Sequence, residues 1–508
     1  MNILFIDIDT LRPDHMGCYG YGRNTTPNFD RIAAEGTRFT EYYCSDAPCL
    51  PSRAALMTGQ FGIHNGVVGH GGTAADRRLD GPERAMQDRN GRYNLPALLH
   101  NHGFYTVSCS SFAARHGAWW FNAGFREMYN GGRNGGETAD MMTPWALDWL
   151  DRNVGKPGRE QWFLHLHLWD PHMPARTPAE VANPFENQPL PDPWMTQQLL
   201  DEQRAHCVGA HSAMEVMGYD DPGKPRGRQM THIADLGDYK RDIDGYDLGV
   251  WYADKHIGMV LDKLKELGVY EDTAVIVTSD HGEHLGEMGI YNEHGDADYS
   301  TTHIPMLIKW PGIPGGQVIG GFRYNIDLLP TLMDLLGGYR APQLPRVCGK
   351  GPEPLFDGVS FADDLRNGEN RTGREFLVLS QCAHVCQRSV RFDKYLYIRT
   401  YHDGYHLTPD EELYQVEQDP HETEDLAERF PELCWRGAHY LEHWVAEQMT
   451  KGAAQYGGAV DPLWTVMAEG GPFHCRGYLD EYCTRLEETG RGWAAEELRR
   501  RHPSGGTI

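Results

Sequence analysis

Two carboxylates, Asp7 and Asp9, close the first apolar run of the chain, Ile3–Ile8. Residues two apart in a strand face the same side, so the pair points together. Carboxylates held side by side repel unless a cation or a proton separates them. A later apolar run, Ala274–Thr278, ends in Ser279-Asp280-His281-Gly282-Glu283 and supplies another carboxylate and an imidazole. Oxygen-rich donors with one nitrogen suit Ca2+, Mg2+ or Mn2+. A second kind of chemistry sits at Cys49-Leu50-Pro51-Ser52-Arg53, a thiol followed one helical turn later by a guanidinium. Histidines add a third, because imidazole exchanges protons near neutral pH. His172 stands in Asp170-Pro171-His172-Met173-Pro174, His294 in Asn292-Glu293-His294-Gly295, and His70 in a glycine-rich stretch after Cys49.

The Cys49–Pro51–Arg53 spacing, ending in Leu56-Met57-Thr58-Gly59, resembles the sulfatase signature. In that family an enzyme oxidises the cysteine to formylglycine, and the hydrated aldehyde is the nucleophile. A thiol attacking a sulfate ester would leave a persistent sulfur–sulfur link. A hydrate offers one hydroxyl to attack and a second whose proton loss expels sulfate and restores the aldehyde, which is covalent catalysis with a built-in release. The resemblance implies that Cys49 is the precursor of the nucleophile and a metal contact, and that Arg53 binds its oxygens or the sulfate. The first strand of the family usually ends Asp-Asp-Leu. Asp9 matches the first Asp and Thr10 replaces the second, a loss for which Asp7 is expected to compensate. The metal set implied is thus Asp7, Asp9, Cys49, Asp280 and His281, with Ca2+ preferred over Mn2+ or Mg2+. His172 matches the histidine of the family's Pro-His-x-Pro loop, which contacts the bridging oxygen and can protonate the leaving group. His294 falls near the position of a sulfate-binding lysine.

One family element, Gly-Lys-Trp-His after the strand at Tyr105–Cys109, is missing; the chain reads Ser110-Ser111-Phe112-Ala113-Ala114-Arg115-His116. Ser111 is expected to replace the lysine as a hydrogen-bonding group, and Arg115 or His116 to restore the charge or the base. Ser111, His116 and His70 are the expected substrate-binding residues. The pair Asp280-His281 also resembles the phosphonate monoester hydrolase and phosphodiesterase branch, so phosphorus is the alternative reacting centre. A non-catalytic binding protein on the same fold is a third reading, and the intact nucleophile and metal motifs argue against it. The motifs occur in family order from Asn2 through Leu413-Tyr414 and Asp419-Pro420 to about Leu426.

Positioning such a set requires strands that end at one edge. Strand candidates are Ile3–Ile8, Tyr105–Cys109, Trp162–Leu168, Ala274–Thr278 and Ile304–Lys309, alternating with helix candidates Thr26–Glu35, Ser52–Met57, Tyr93–Asn101, Met141–Asn153, Tyr246–Leu267 and Asn325–Leu336. That alternation predicts an α/β sheet with helices on both faces and the site at the carboxyl ends of the strands. The resemblance implies an alkaline-phosphatase-like sandwich: a large mixed sheet, then a smaller C-terminal four-stranded sheet. Residues 1–370 are expected to form the catalytic domain and 371–508 a smaller sheet and helix subdomain. Gly337 to Asn370 reads as a connector. Trp119-Trp120-Phe121 reads as core in preference to a sugar-stacking surface.

A formal net charge of −25 argues against nucleic acid or an anionic membrane as partner, although a local cation can still hold an anionic substrate. The expected partners are a small-molecule or saccharide sulfate ester and the formylglycine-generating enzyme; a homo-oligomer is left open. Eleven cysteines, an odd number, read as reduced thiols. The chain enters a strand almost at once, so a cytoplasmic location is expected, or a periplasmic one if a leader was removed.

Overall fold

The computed structural model describes residues 1–77, 91, 93–206, 227–230, 232–337, 355–456 and 460–503. Eight strands form the main sheet, in the order Gln317–Ile319, Thr37–Phe39, Met306–Lys309, Thr273–Ser279, Asn2–Ile8, Trp162–Leu168, Tyr105–Cys109, Glu127–Tyr129. Asn2–Ile8 lies at the centre, parallel to Trp162–Leu168 on one side and to Thr273–Ser279 on the other. Met306–Lys309 runs antiparallel to its neighbours and makes the sheet mixed.

Alternation along the central strands divides the interior into two cores. Leu4, Ile6, Ile8, Leu164, Leu166 and Leu168 pack on one face against the helices Ala139–Asn153 and Leu236–Glu266. Ile3, Phe5, Phe163, Ala274 and Ile276 pack on the other against Cys49–Thr58, Leu95–Asn101 and Leu328–Leu336. Asp7, His165 and His167 belong to this second face by the period of two. Phe5 pairs with His165 and Asp7 with His167 in register, so the sequence Phe163-Leu164-His165-Leu166-His167 sends leucines to one core and imidazoles toward the carboxyl ends of the strands in the other.

The helix expected at Tyr246–Leu267 starts at Leu236 and runs to Glu266. Asp235 caps it, accepting hydrogen bonds from the Gly237 and Asp238 amides; the polar run 236–245 hides the helical period, and only the cap marks the start. The segment Gly337–Asn370 holds a short helix, Ala362–Asn367, while 338–354 lie outside the described residues. Trp120 and Phe121 are core residues.

The smaller sheet has five strands where four were expected. Glu411–Tyr414, Tyr395–His402, Cys386–Phe392 and Phe376–Gln381 are joined by Asp46–Ala47, parallel to Phe376–Gln381. Asp46–Ala47 stands immediately before the helix that starts at Cys49, so the small sheet anchors the approach to that residue. No described helix is long and apolar enough to cross a membrane. The nine cysteines among the described residues are all free thiols.

Candidate active site

The first turn of the Cys49–Thr58 helix opens onto the carboxyl ends of the central strands. Cys49 is buried there, with Sγ 3.1 Å from His281 Nε2. Asp9, Cys49, Asp280 and His281 each bring a ligand atom within 4.8 Å of the others, and all four are buried. The donors fit a divalent cation on two further counts. Asp9 Oδ1 is buried and accepts no hydrogen bond. His281 Nδ1 faces the Gly282 carbonyl at 2.7 Å, and a carbonyl only accepts; the proton therefore sits on Nδ1 and leaves the Nε2 lone pair facing the cluster. Burial lifts the Asp280 carboxyl to about 6, with Arg53 opposing and Asp9 adding to the rise. Burial, and then the Asp9 and Asp280 carboxylates, push the Cys49 thiol well above its ordinary value. Both effects oppose formation of a thiolate.

Arg53 underlies this cluster. Its guanidinium is fully buried and contacts Asp7 through Nε at 2.9 Å and Nη2 at 3.2 Å, Asp9 through Nη1 at 3.1 Å, and Asp280 through the same Nη1. Asp7 therefore serves Arg53 and stands outside the four-residue group. Two histidines, each hydrogen-bonded to a serine, approach the pair from Tyr105–Cys109 and the residue beyond it. Ser108 Oγ meets His165 Nδ1 at 3.0 Å, and His165 Nε2 lies 3.5 Å from Asp7. Ser110 Oγ meets His167 Nδ1 at 2.9 Å, and His167 Nε2 lies 3.4 Å from Asp9. Burial resists ionisation of both aspartates, but Arg53 and the neighbouring histidines together outweigh it and hold them well below the usual carboxylate range.

His172 and His294 face the cluster from opposite loops. The His294 ring is 4.4 Å from that of His281 and 5.7 Å from that of His172. His172 Nδ1 is held by the Met173 carbonyl at 2.7 Å, which leaves a buried, bare Nε2 4.0 Å from Asp9 Oδ1. His294 Nδ1 contacts Glu283 at 3.1 Å.

This geometry agrees with what the chain resembles. The sequence profile described as Sulfatase matches residues 1–339. The chain belongs to the sulfatase family. It is a hydrolase of sulfate esters. A sulfatase of Formosa agariphila is 26% identical over 462 residues, covering 84% of this chain and 83% of that protein. Among solved structures, BT4656 in complex with its substrate D-glucosamine-2-N,6-O-disulfate superposes with a TM-score of 0.65 at 20% identity, covering 87% of this chain and 97% of that one. The phosphonate monoester hydrolase of Silicibacter pomeroyi superposes at 0.62 with 19% identity, covering 91% and 99%. These structures share the fold, and the phosphorus alternative fits the comparisons less well than sulfate esters do.

The remaining expected residues of this sulfatase lie farther from Cys49. Ser111 donates to Glu137 at 2.6 Å and accepts from Trp169 Nε1 at 2.8 Å, so its hydroxyl is spent on orienting Trp169. Arg115 lies over the face of Trp169 at 4.9 Å, and its charge reaches Cys49, His172 and His116. Arg115 brings positive charge to this side of the site, as expected of it or of His116. The His116 ring is 5.1 Å from His70, and burial, with Arg115, pushes His116 down to about 3. Two residues absent from the sequence expectations, His384 and His474, complete this side of the pocket beside His70. Neither lies in a motif, and only chain pairing over hundreds of residues brings them in.

Proposed function

We propose that this sulfatase cleaves the sulfate ester of a carbohydrate through formylglycine made from Cys49, at a divalent metal held by Asp9, Asp280, His281 and the oxygen that replaces the Cys49 sulfur. The observation carrying this reading is the buried convergence of Cys49 with Asp9, Asp280 and His281. Bound there, a divalent cation supplies positive charge against the oxygens of the sulfuryl group. The hydrate of the Cys49-derived aldehyde supplies the attacking hydroxyl and, on losing its second proton, the release of sulfate.

The chain's own residues do the rest. Arg53 holds Asp7, Asp9 and Asp280 ionised and aligned, which fixes the ligand carboxylates before substrate arrives. His172, neutral in the resting pocket because burial pushes it down to about 3, gains a proton more readily when a sulfate anion enters. Its Nε2–H then faces the cluster and can protonate the departing alcohol. His294 lies within reach of the same space and provides a donor to the sulfuryl oxygens. Trp169 and Arg115 close the opposite wall. Ca2+ is the ion we favour, since two carboxylates and a hydroxyl oxygen outnumber the one imidazole. Support for a sugar substrate comes from the histidine-lined side of the pocket and from the sulfated glucosamine bound by BT4656.

Steady-state rates on an aryl sulfate and on the matching aryl phosphonate monoester test the reaction class. This reading expects a higher kcat/KM on the sulfate; a clear preference for the phosphonate would overturn it.

A further inference from the structure

Three histidines from distant parts of the chain meet on the far side of His294 from Cys49. His70 follows the helix Gly62–Asn65, His384 sits in the turn between Phe376–Gln381 and Cys386–Phe392, and His474 lies between Pro462–Ala468 and Leu479–Glu488. Each offers a ring nitrogen within 4.8 Å of the other two. His70 Nδ1 is 2.9 Å from His474 Nε2, and the His384 and His474 rings stack at 4.2 Å. The His474 amide donates to the Ala383 carbonyl at 3.0 Å, which pins the C-terminal segment onto the turn that carries His384.

The polar atoms of this cluster are poorly satisfied by protein. His384 is buried, and neither of its ring nitrogens has a hydrogen-bond partner; His70 Nε2 is buried and has none either. Both carboxylate oxygens of Glu293 are in the same condition, one of them 3.8 Å from His384 Nδ1. A buried polar atom left without a partner forfeits the hydrogen bonds it made to water, so several at one spot point to a ligand. Burial, reinforced by the neighbouring imidazoles, lowers His70 and His384 well below the ordinary value, and burial with Arg115 brings His474 to about 4. Three imidazoles make a nitrogen-rich donor set, unlike the oxygen-rich set around Cys49, and the two sets select different ions.

We propose that His70, His384 and His474 form a second metal site, separate from the one at Cys49, that binds Zn2+ with its fourth position open to the pocket. Glu293, 3.8 Å from His384 Nδ1 and not hydrogen-bonded to it, is placed to orient that imidazole once an ion is bound. His70 and His474 are half-buried, so the ion is reachable from the pocket. The His384 ring is 5.2 Å from His294, which puts the open position next to the sulfate-ester site. A second oxygen group of a substrate, such as a carboxylate, sulfate or hydroxyl, is the ligand suited to it.

The test is metal content by mass spectrometry on the full-length protein, stripped with chelator, saturated with Ca2+ and then equilibrated with Zn2+. The site predicts one tightly held Zn2+ per chain. His474→Gln and, separately, His384→Ala lose that zinc while keeping wild-type calcium content and circular dichroism, whereas Asp280→Asn keeps it. Co2+ in place of Zn2+ reports the geometry, with tetrahedral absorption bands in the wild type that disappear in His474→Gln. Failure of the calcium-saturated wild type to retain zinc, or retention of a full equivalent by both histidine variants, refutes the second site and leaves the reading of Cys49 untouched.

Discussion

Arg53 grips Asp7 with two nitrogens, Nε at 2.9 Å and Nη2 at 3.2 Å, at the bottom of the site and with no solvent on either side chain. The remaining nitrogen, Nη1, serves Asp9 and Asp280. One guanidinium thus binds three carboxylates from two strand ends, a task that needs its planar fork. Arg53→Lys keeps the charge and loses the fork. We expect this variant to be destabilised by about 3 kcal/mol and to lose about 10²–10³ in kcat. Thermal melts and steady-state kinetics check it. Wild-type melting together with a wild-type rate would remove Arg53 from the account.

His172 is expected to act on the leaving group. His172→Ala should cost about 10²–10⁴ in kcat on an alkyl or sugar sulfate, whose alcohol needs a proton. The loss should shrink on a nitrophenyl sulfate, whose phenolate leaves without help. Equal losses on both substrates would assign His172 to binding instead.

Removing the metal should change more than the rate. Asp9 and Asp280 are held together beside a single arginine, and an ion that binds only the folded chain stabilises it by mass action. Chelator should abolish hydrolysis and lower the melting temperature, and added Ca2+ should restore both. Asp280→Asn should melt at the same temperature with or without Ca2+. Calcium-dependent melting that persisted in this variant would place the responsible ion elsewhere.

Away from the site, His421 links two parts of the chain. Burial disfavours its charge, but hydrogen bonds to Asp192 at 3.0 Å and Glu287 at 2.9 Å prevail, and its pKa rises to about 9. Its ring stacks on Trp194 at 4.2 Å, and Arg12, which pairs with Glu287, opposes the rise. A raised folded-state value means that the stabilisation is fully present below about 6.5, the unfolded value, and fades as pH climbs through about 9. His421→Gln should therefore cost on the order of 2–3 kcal/mol at pH 6 and little at pH 10. Urea melts at the two pH values read the difference directly, and a cost independent of pH would mean that packing on Trp194 dominates.

The strands were legible because their apolar runs are short and bounded by the residues that do chemistry. Trp162–Leu168 begins and ends where its pattern says, and its alternating histidines already mark one face. The order of Asp9, Cys49, His172, Asp280 and His294 was legible through resemblance, and the fold brings them together. Four things were not. The start of the Leu236–Glu266 helix lies in a polar run whose cap is its only signal. Ser111 read as a pocket donor, yet Glu137 and Trp169 occupy its hydroxyl; a partner 26 or 58 residues away leaves no local trace. His384 and His474 carry no motif, and a fifth strand at Asp46–Ala47 joins the small sheet although its pairing partner lies more than 300 residues on.

Peptide mass spectrometry across Cys49, on active protein from its native host, reads the nucleophile itself. Formylglycine chemistry requires a residue at position 49 with the mass of the aldehyde or its hydrate, in proportion to the specific activity of the preparation. An unmodified thiol at position 49 in a fully active preparation would contradict it, since a thiol attacking sulfur would leave a persistent sulfur–sulfur link with no second hydroxyl to expel the sulfate.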